Sequence, residues 1–270
     1  MAENRDIDLR EYQLILLDIL KDVAAVCKKN NIRFYLGEGS MLGAVRHKGF
    51  IPWDDDIDII MYRKDYNRFL KTAPADLGDK YEVQSHGKTK NFWNPYAQVR
   101  LITDDRRLRQ GYIEKLLKNN GPFVDIFPMD YVPKKSSLML SFRSVRIKFY
   151  KAMLPYIYGV CKPASLKGKV ISFFSRFHRP DELLRRIDKI TGKYGKKPLP
   201  YTANFHTTHP LANQIAPTSC YDDVIETEFE GVMMPIPEGY DEILTIIYGD
   251  YMTPPKEKER VNKHKIGSER

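Results

Sequence analysis

The sequence predicts an α/β (α+β) fold, a mixed β-sheet flanked by helices with a basic helical segment appended. Three observations carry this. Short β-branched or aromatic runs are interspersed with segments of helical period, without strict alternation between the two. A Gly39-Ser40 pair closes one apolar run, and an Asp-Ile-Asp-Ile alternation (Asp56 to Ile59) sits inside the next. Charge is uneven: residues 134–197 hold 17 Lys or Arg against 3 acids, a balance of +14 in a chain of net +9, which leaves −5 elsewhere.

The elements follow in order. Leu9, Tyr12, Leu16, Ile19, Leu20, Val23 and Val26 recur at helical spacing, predicting a first helix over residues 8–30. Asp8 with Glu11 has the form of a capping box, and Asn30-Asn31 is the stop. Residues 32–36 are the first strand, 40–46 a short helix, and His47-Lys48-Gly49 a positively charged loop. The second strand covers 56–61 and the next helix 62–71; 81–85 and 95–102 are further strands. Gly121-Pro122 breaks the chain before a strand over 123–127. A helix opens at Pro180-Asp181, carries Leu183, Leu184, Ile187 and Ile190, and ends at Gly192. Residues 226–236 form a hairpin around Glu230-Gly231, Asp241 caps a helix to Tyr248, and Gly249 stops it. This divides the chain into a core (1–130), a basic aromatic helical insertion (131–200), a C-terminal part packing on the core (201–255) and a charged tail (256–270).

A length of 270 residues, 42% apolar and 29% charged, suits an ordinary globule with a full core. The N-terminus lacks the basic start, apolar core and cleavage site of an export signal. The longest nearly apolar stretch, 152–161, is interrupted by Pro155 and Gly159 and is far too short to span a bilayer. Three cysteines, odd in number and far apart, fit neither a disulfide framework nor a zinc site. The expectation is a cytoplasmic protein, peripheral at the inner face of the membrane.

Asp56 and Asp58 project from one face of a strand, with Cα atoms about 6.6 Å apart, a spacing at which two carboxylates can share one hard cation. Packed with Asp54 and Asp55 at the mouth of an apolar strand, they repel one another unless a cation compensates. The turn at Gly39 and Ser40 leads into a helix and offers backbone and hydroxyl donors to a phosphate. Arg46, His47 and Lys48 lie between the halves of the motif and could neutralise a leaving phosphate; Arg46 is preferred for its bidentate fork, and Arg100 is a weaker candidate. Asp125 is either a surface residue of an edge strand or a third carboxylate completing a divalent-metal site.

The stretch from Leu36 to Met61 closely resembles the signature of the LicD family, within the nucleotidyltransferase-like superfamily. Weaker matches lie at Ala97-Gln98-Val99-Arg100, at 123–130, at 229–232 and from Ile236 to Pro255, while 131–200 matches no named pattern. The resemblance implies a nucleotidyltransferase-like sheet and identifies Asp125 as the third carboxylate. Asp56, Asp58 and Asp125 would then hold Mg²⁺ (or Mn²⁺), with Asp125 a ligand or the base for the acceptor hydroxyl. It further implies transfer of phosphocholine, or a similar phospho-alcohol, from CDP-choline or another CDP-alcohol to a sugar hydroxyl of a glycan acceptor such as teichoic acid or lipopolysaccharide, with CMP released; an unexported chain would meet such an acceptor in lipid-linked form at the membrane. A quaternary ammonium needs an aromatic cage, for which Trp53, Trp93, Tyr96 and Phe92 are equally suited as core residues.

Two other readings remain: a nucleotidyltransferase moving NMP from an NTP, and a nucleic-acid-binding protein using the basic segment. No recognisable RNA or DNA module supports the last, so a nucleic-acid partner is not expected. His206-x-x-His209 lacks a third zinc ligand. Between Tyr131 and Pro180 eleven Lys or Arg are interleaved with Phe142, Phe149, Tyr150, Tyr156, Tyr158, Phe173, Phe174 and Phe177, with no acid. That pattern predicts either an amphipathic surface on an anionic membrane or a basic lobe whose aromatics pack inward.

Overall fold

The computed structural model describes residues 7–110, 116–135, 138–195, 197–207, 209–257 and 260. Helix α1 (Leu9–Lys29) is capped by Asp8, whose side chain accepts the Arg10 N–H. The reciprocal half of the expected capping box is not made: the Glu11 carboxylate lies 3.8 Å from Arg107. Strand β1 (Tyr35–Leu36) is shorter than expected, and α2 (Glu38–His47) starts two residues before its expected first residue. β2 (Asp58–Tyr62) starts at Asp58, so Asp56 sits in the extended approach to the strand rather than within it. α3 (Arg63–Leu77), β3 (Tyr81–Gln84), β4 (Ala97–Leu101) and β5 (Phe123–Val132) follow.

These strands form a mixed sheet in the order β1-β2-β5-β4-β3, with β2 and β5 parallel and the other pairs antiparallel. β5 runs five residues further than expected. Its extension pairs with β6 (Tyr201–Ala203), which pairs with β7 (Ile215–Pro217). Neither short strand has enough residues to show a period, which is why the sequence did not reveal them. The mixed α/β class is as expected.

The segment from 138 to 191 is helical: α4 (Leu138–Ile157), α5 (Leu166–Ser175) and α6 (Pro180–Thr191). It has a small core of its own, in which Leu140, Ile147 and Leu154 of α4 meet Leu183, Leu184 and Ile187 of α6. Arg63, the first residue of α3, donates to the fully buried Asp130 carboxylate and to Asp188 of α6, tying this lobe to the sheet. The chain closes with the hairpin β8 (Val224–Phe229) and β9 (Val232–Pro237) and with α7 (Tyr240–Tyr248). Glu230 and Gly231 both have positive φ (53° and 75°), as a two-residue type I′ turn requires. Among the described residues, no helix is long and apolar enough to cross a membrane.

Gly43 of α2 faces the connection to β2. A Cβ there would lie 2.4 Å from the Gly49 carbonyl oxygen and 3.3 Å from the Ile51 nitrogen, both backbone atoms. Gly43→Ala should therefore push helix and loop apart and lower stability by roughly 1–3 kcal/mol. A denaturant midpoint equal to the parent's would show that the loop yields freely.

Candidate active site

The sheet register builds the centre of the site. It pairs Asp58 of β2 with Asp125 of β5, and Asp125 with Gln98 of β4. Register partners on adjacent strands share a face at about 4.8 Å separation. Asp125 thus stands beside Asp58, on the face opposite the fully buried Val124 and Ile126. The Gln98 amide donates to Asp125 Oδ1 at 2.7 Å and accepts from Arg100 at 2.7 Å. Arg100 also donates to Gln84 Oε1 (3.0 Å) and to the Gly121 carbonyl, and its side chain is only 1% exposed. The expectation that Arg100 meets a phosphate is corrected by this placement: it lies behind the site and orients Gln98, which orients Asp125.

Three further acids join the pair. The Asp54 carboxylate lies against Gly39, where a Cβ would sit 2.8 Å from Asp54 Oδ2. Gly39 is thus the residue that admits this carboxylate to the first turn of α2, where the helix dipole favours negative charge. Gln13 of α1 donates to the Asp54 carbonyl at 2.8 Å and fixes the acidic loop. Glu38, the first residue of α2, is buried with φ +44°. Such backbone strain in a non-glycine residue concentrates at functional positions. Its carboxylate accepts from Gln214 (3.1 Å) and Asn204 (3.4 Å), and His209 Nε2 lies 4.0 Å away. Burial pushes the Glu38 carboxyl up to about 7; the Gln214 and Asn204 bonds oppose this, and the Asp56 charge adds to it. Asp58 is pushed well above the usual carboxylate range by burial first, then by Asp56, Asp125, Glu38 and Asp54. Five carboxyl groups therefore act on one another in one place.

Ser40 is buried, and its Oγ accepts the Asp58 N–H at 2.9 Å, so its hydroxyl oxygen secures the start of β2. Arg46 lies in the last turn of α2, donating to the Tyr251 carbonyl (2.8 Å) and to His47 Nε2 (2.9 Å). Its guanidinium and the acids both act on the Tyr248 hydroxyl, which the acids help hold above its ordinary range after burial. Lys48 points elsewhere. It caps α2 in the left-handed region (φ 56°), its carbonyl accepts the Glu230 N–H, and its ammonium lies 3.7 Å from Glu228. Its backbone belongs to the contact between α2 and the hairpin, and its ammonium is largely exposed. Of the aromatic candidates, Phe92 is buried in a small cluster with Leu117, and Tyr96 packs on Phe127.

Positive charge arrives from the basic lobe instead. A cavity of about 330 Å³ between α4 and the loop after β6 is lined by Lys148, Lys151, Asn204, Thr207 and His209. It adjoins Glu38 through Asn204 and His209. Lys151 donates to the His206 carbonyl at 2.7 Å, and burial, with the Lys148 charge, pushes it down to about 8. The His206 ring is buried and neither nitrogen has a partner; burial, then Lys151 and Arg63, hold it well below its usual range. Sequence reasoning missed Glu38, Lys151, Asn204 and Gln214. Glu38 lay inside the recognised glycine turn and could have been found there; the others carry no local signal.

The donor set is all hard carboxylate oxygen, and the raised Asp58 marks a place where positive charge is favourable, so a divalent cation fits the chemistry. As the side chains stand, no three His, Cys, Asp or Glu groups among the described residues are gathered closely enough to enclose one.

The chain is similar to known proteins. Residues 31–155 match the LicD/FKTN/FKRP nucleotidyltransferase domain, a span from just before β1 into α4. The chain is 29% identical to the lipopolysaccharide cholinephosphotransferase LicD of Haemophilus influenzae over 266 residues, 96% of this chain and 97% of that protein. It is 35% identical over 63 residues to the ribitol 5-phosphate transferase FKRP of Mus musculus, and equally to that of Homo sapiens, covering 23% of this chain and 13% of each relative.

Proposed function

We propose that this chain, whose residues 31–155 are a LicD/FKTN/FKRP-type nucleotidyltransferase domain, transfers a phospho-alcohol, phosphocholine first, from a CDP-linked donor to a sugar hydroxyl of a cell-surface glycan, releasing CMP. The observation that carries the reading is the in-register pair Asp58 and Asp125, joined by Asp56, whose charge acts on both Asp58 and Glu38. Nucleotide-dependent phosphoryl-type transfer asks little covalent chemistry of a protein. It needs an in-line acceptor, neutralised phosphates and a fixed geometry.

Asp56, Asp58 and Asp125 would hold Mg²⁺ or Mn²⁺. When bound, the cation neutralises the donor diphosphate and polarises the phosphorus under attack. The protein's own groups do the rest. Gln98 keeps the Asp125 carboxylate in one orientation. Lys148 and Lys151 offer the positive wall beside the acids on which the donor's phosphates rest. Arg46, at the far end of α2, stands ready for the nucleotide phosphate that leaves. The acceptor is a lipid-linked glycan of the lipopolysaccharide or teichoic acid kind, met at the cytoplasmic face of a membrane.

The test is product analysis. With CDP-choline, a divalent cation and a glycan acceptor, CMP should accumulate in step with choline on the glycan. CDP-ribitol or CDP-glycerol consumed in its place would keep the chemistry and change the alcohol. Pyrophosphate released from CTP or ATP, with nucleotide on the acceptor, would show that the chain moves a nucleotide instead.

A further inference from the structure

α4 carries two apolar faces. Leu140, Ile147, Tyr150 and Leu154 are buried against α6 and the sheet extension, so Tyr150 belongs to the lobe's core. A second stripe, Leu138, Phe142, Val145 and Phe149, repeats at the same helical spacing but points to solvent, with Leu138 94% exposed. α5 and the turn after it present a matching stripe of Leu166, Val170, Phe173, Phe174 and Phe177, all exposed, Phe177 by 69%. Phe149 meets Phe174 edge to face, and Phe173 contacts both Phe174 and Phe177, so the two stripes form one continuous surface. Exposed apolar surface this extensive on one face of a protein marks an interaction site.

Charge decides what covers it. From residue 131 to 180 there are eleven Lys or Arg and no acid, several of them, such as Lys167, Lys169 and Arg176, exposed on or next to α5. Arg146 lies over the ring of Phe142 and also lines a cavity of about 1070 Å³ with Arg143, Arg186, Lys189 and Lys193. That basic cavity borders the apolar stripe and lies at the opposite end of β2 from Asp58, so it is separate from the acidic site. Aromatics that enter an acyl boundary beside cations that reach phosphates are the two elements of interfacial binding. Each Lys or Arg near an anionic leaflet strengthens attachment roughly fivefold.

We propose that the exposed face of α4 and α5 docks on an anionic phospholipid bilayer, with its phenylalanines in the headgroup layer and the basic residues around them on lipid phosphates. The purpose of docking, bringing a lipid-linked acceptor to the acids, rests on the transferase reading; the binding itself does not, and is tested without turnover. The full chain should co-sediment with vesicles of phosphatidylglycerol and phosphatidylcholine at low salt, and at least tenfold less with phosphatidylcholine alone. Phe142→Asp with Phe173→Asp should reduce binding at least tenfold with an unchanged melting temperature, because both rings are exposed. Lys167→Glu, Lys169→Glu and Arg176→Glu together should weaken it and flatten its salt dependence. Transfer to a water-soluble acceptor should survive in these variants. Absence of binding at low salt, equal binding to neutral vesicles, or full binding by the phenylalanine variant would overturn the proposal. So would a dimer in sedimentation velocity that the same variant dissociates while vesicles are ignored, since the face would then pair two copies.

Discussion

An Asp58→Asn protein should fold as stably as the parent and lose transfer by roughly 10³-fold, about 4 kcal/mol of barrier. The large loss follows from position. Asp58 is the carboxylate placed beside Asp125 by the parallel register, and Asn offers the reacting phosphate's counter-ion a neutral oxygen in place of a charged one. The small change in stability follows from electrostatics. Burial and four acidic neighbours hold the Asp58 carboxyl above its ordinary range, so the folded state disfavours its charge. For an acid raised on folding, stability is full below the unfolded range and falls as pH climbs through it toward the folded value. Asn removes that penalty, and without divalent ions its melting temperature at neutral pH should equal or exceed the parent's. The backbone bonds at this position persist, since Ser40 Oγ takes the residue 58 N–H and Gly37 donates to its carbonyl. Near-normal transfer by a folded Asp58→Asn protein would remove this residue from the chemistry.

Arg100→Met should have the opposite signature, a large loss of stability together with a loss of activity. Arg100 fills a fully enclosed position in which its guanidinium serves Gln84, Gln98 and the Gly121 carbonyl at once and stacks over Phe123. Removing it strands several buried acceptors, which costs about 3–5 kcal/mol, or roughly 10 °C in melting temperature. Lysine should not rescue it, because one ammonium cannot reproduce a planar fork aimed in three directions. Freed from Arg100, Gln98 no longer fixes Asp125, so residual folded protein should also turn over more slowly. A stability loss below about 1 kcal/mol would mean that the acceptors find other donors.

How much of this could be read beforehand depends on how local each cause is. The glycine turn, the strand that begins at Asp58 and the carboxylate opposite Val124 were legible from period and spacing, whereas Asp56, expected inside that strand, lies just before it. The length of β5 was not legible, since its last residues are held by β6, itself backed by β7, drawn from some seventy residues further along the chain. The basic segment was legible as charge and aromatic content, but not as two kinds of aromatic, Tyr150 turned inward and Phe142 outward from the same helix. A helix with two apolar stripes has no single preferred face in sequence; only the position of α6 selects which one is buried.

The sequence by itself determined the acidic run from Asp54 to Asp58, the glycine turn before it and the mixed α/β class, because these depend on the chain's own repeat and on residues adjacent in it, while the place of Asp125 beside Asp58 came from the parallel register of two strands far apart in the chain. Tertiary structure alone decided the rest. It drew Glu38 into the acidic group and secured it with Asn204 and Gln214, turned Arg100 from a surface candidate into a buried support, and brought Lys151 from the basic lobe to the cavity beside the acids. The physical reason is that a side chain's pattern tells which way it faces, while its partners are set by whatever distant segment packs against that face, and charge in a buried place takes its meaning from those partners.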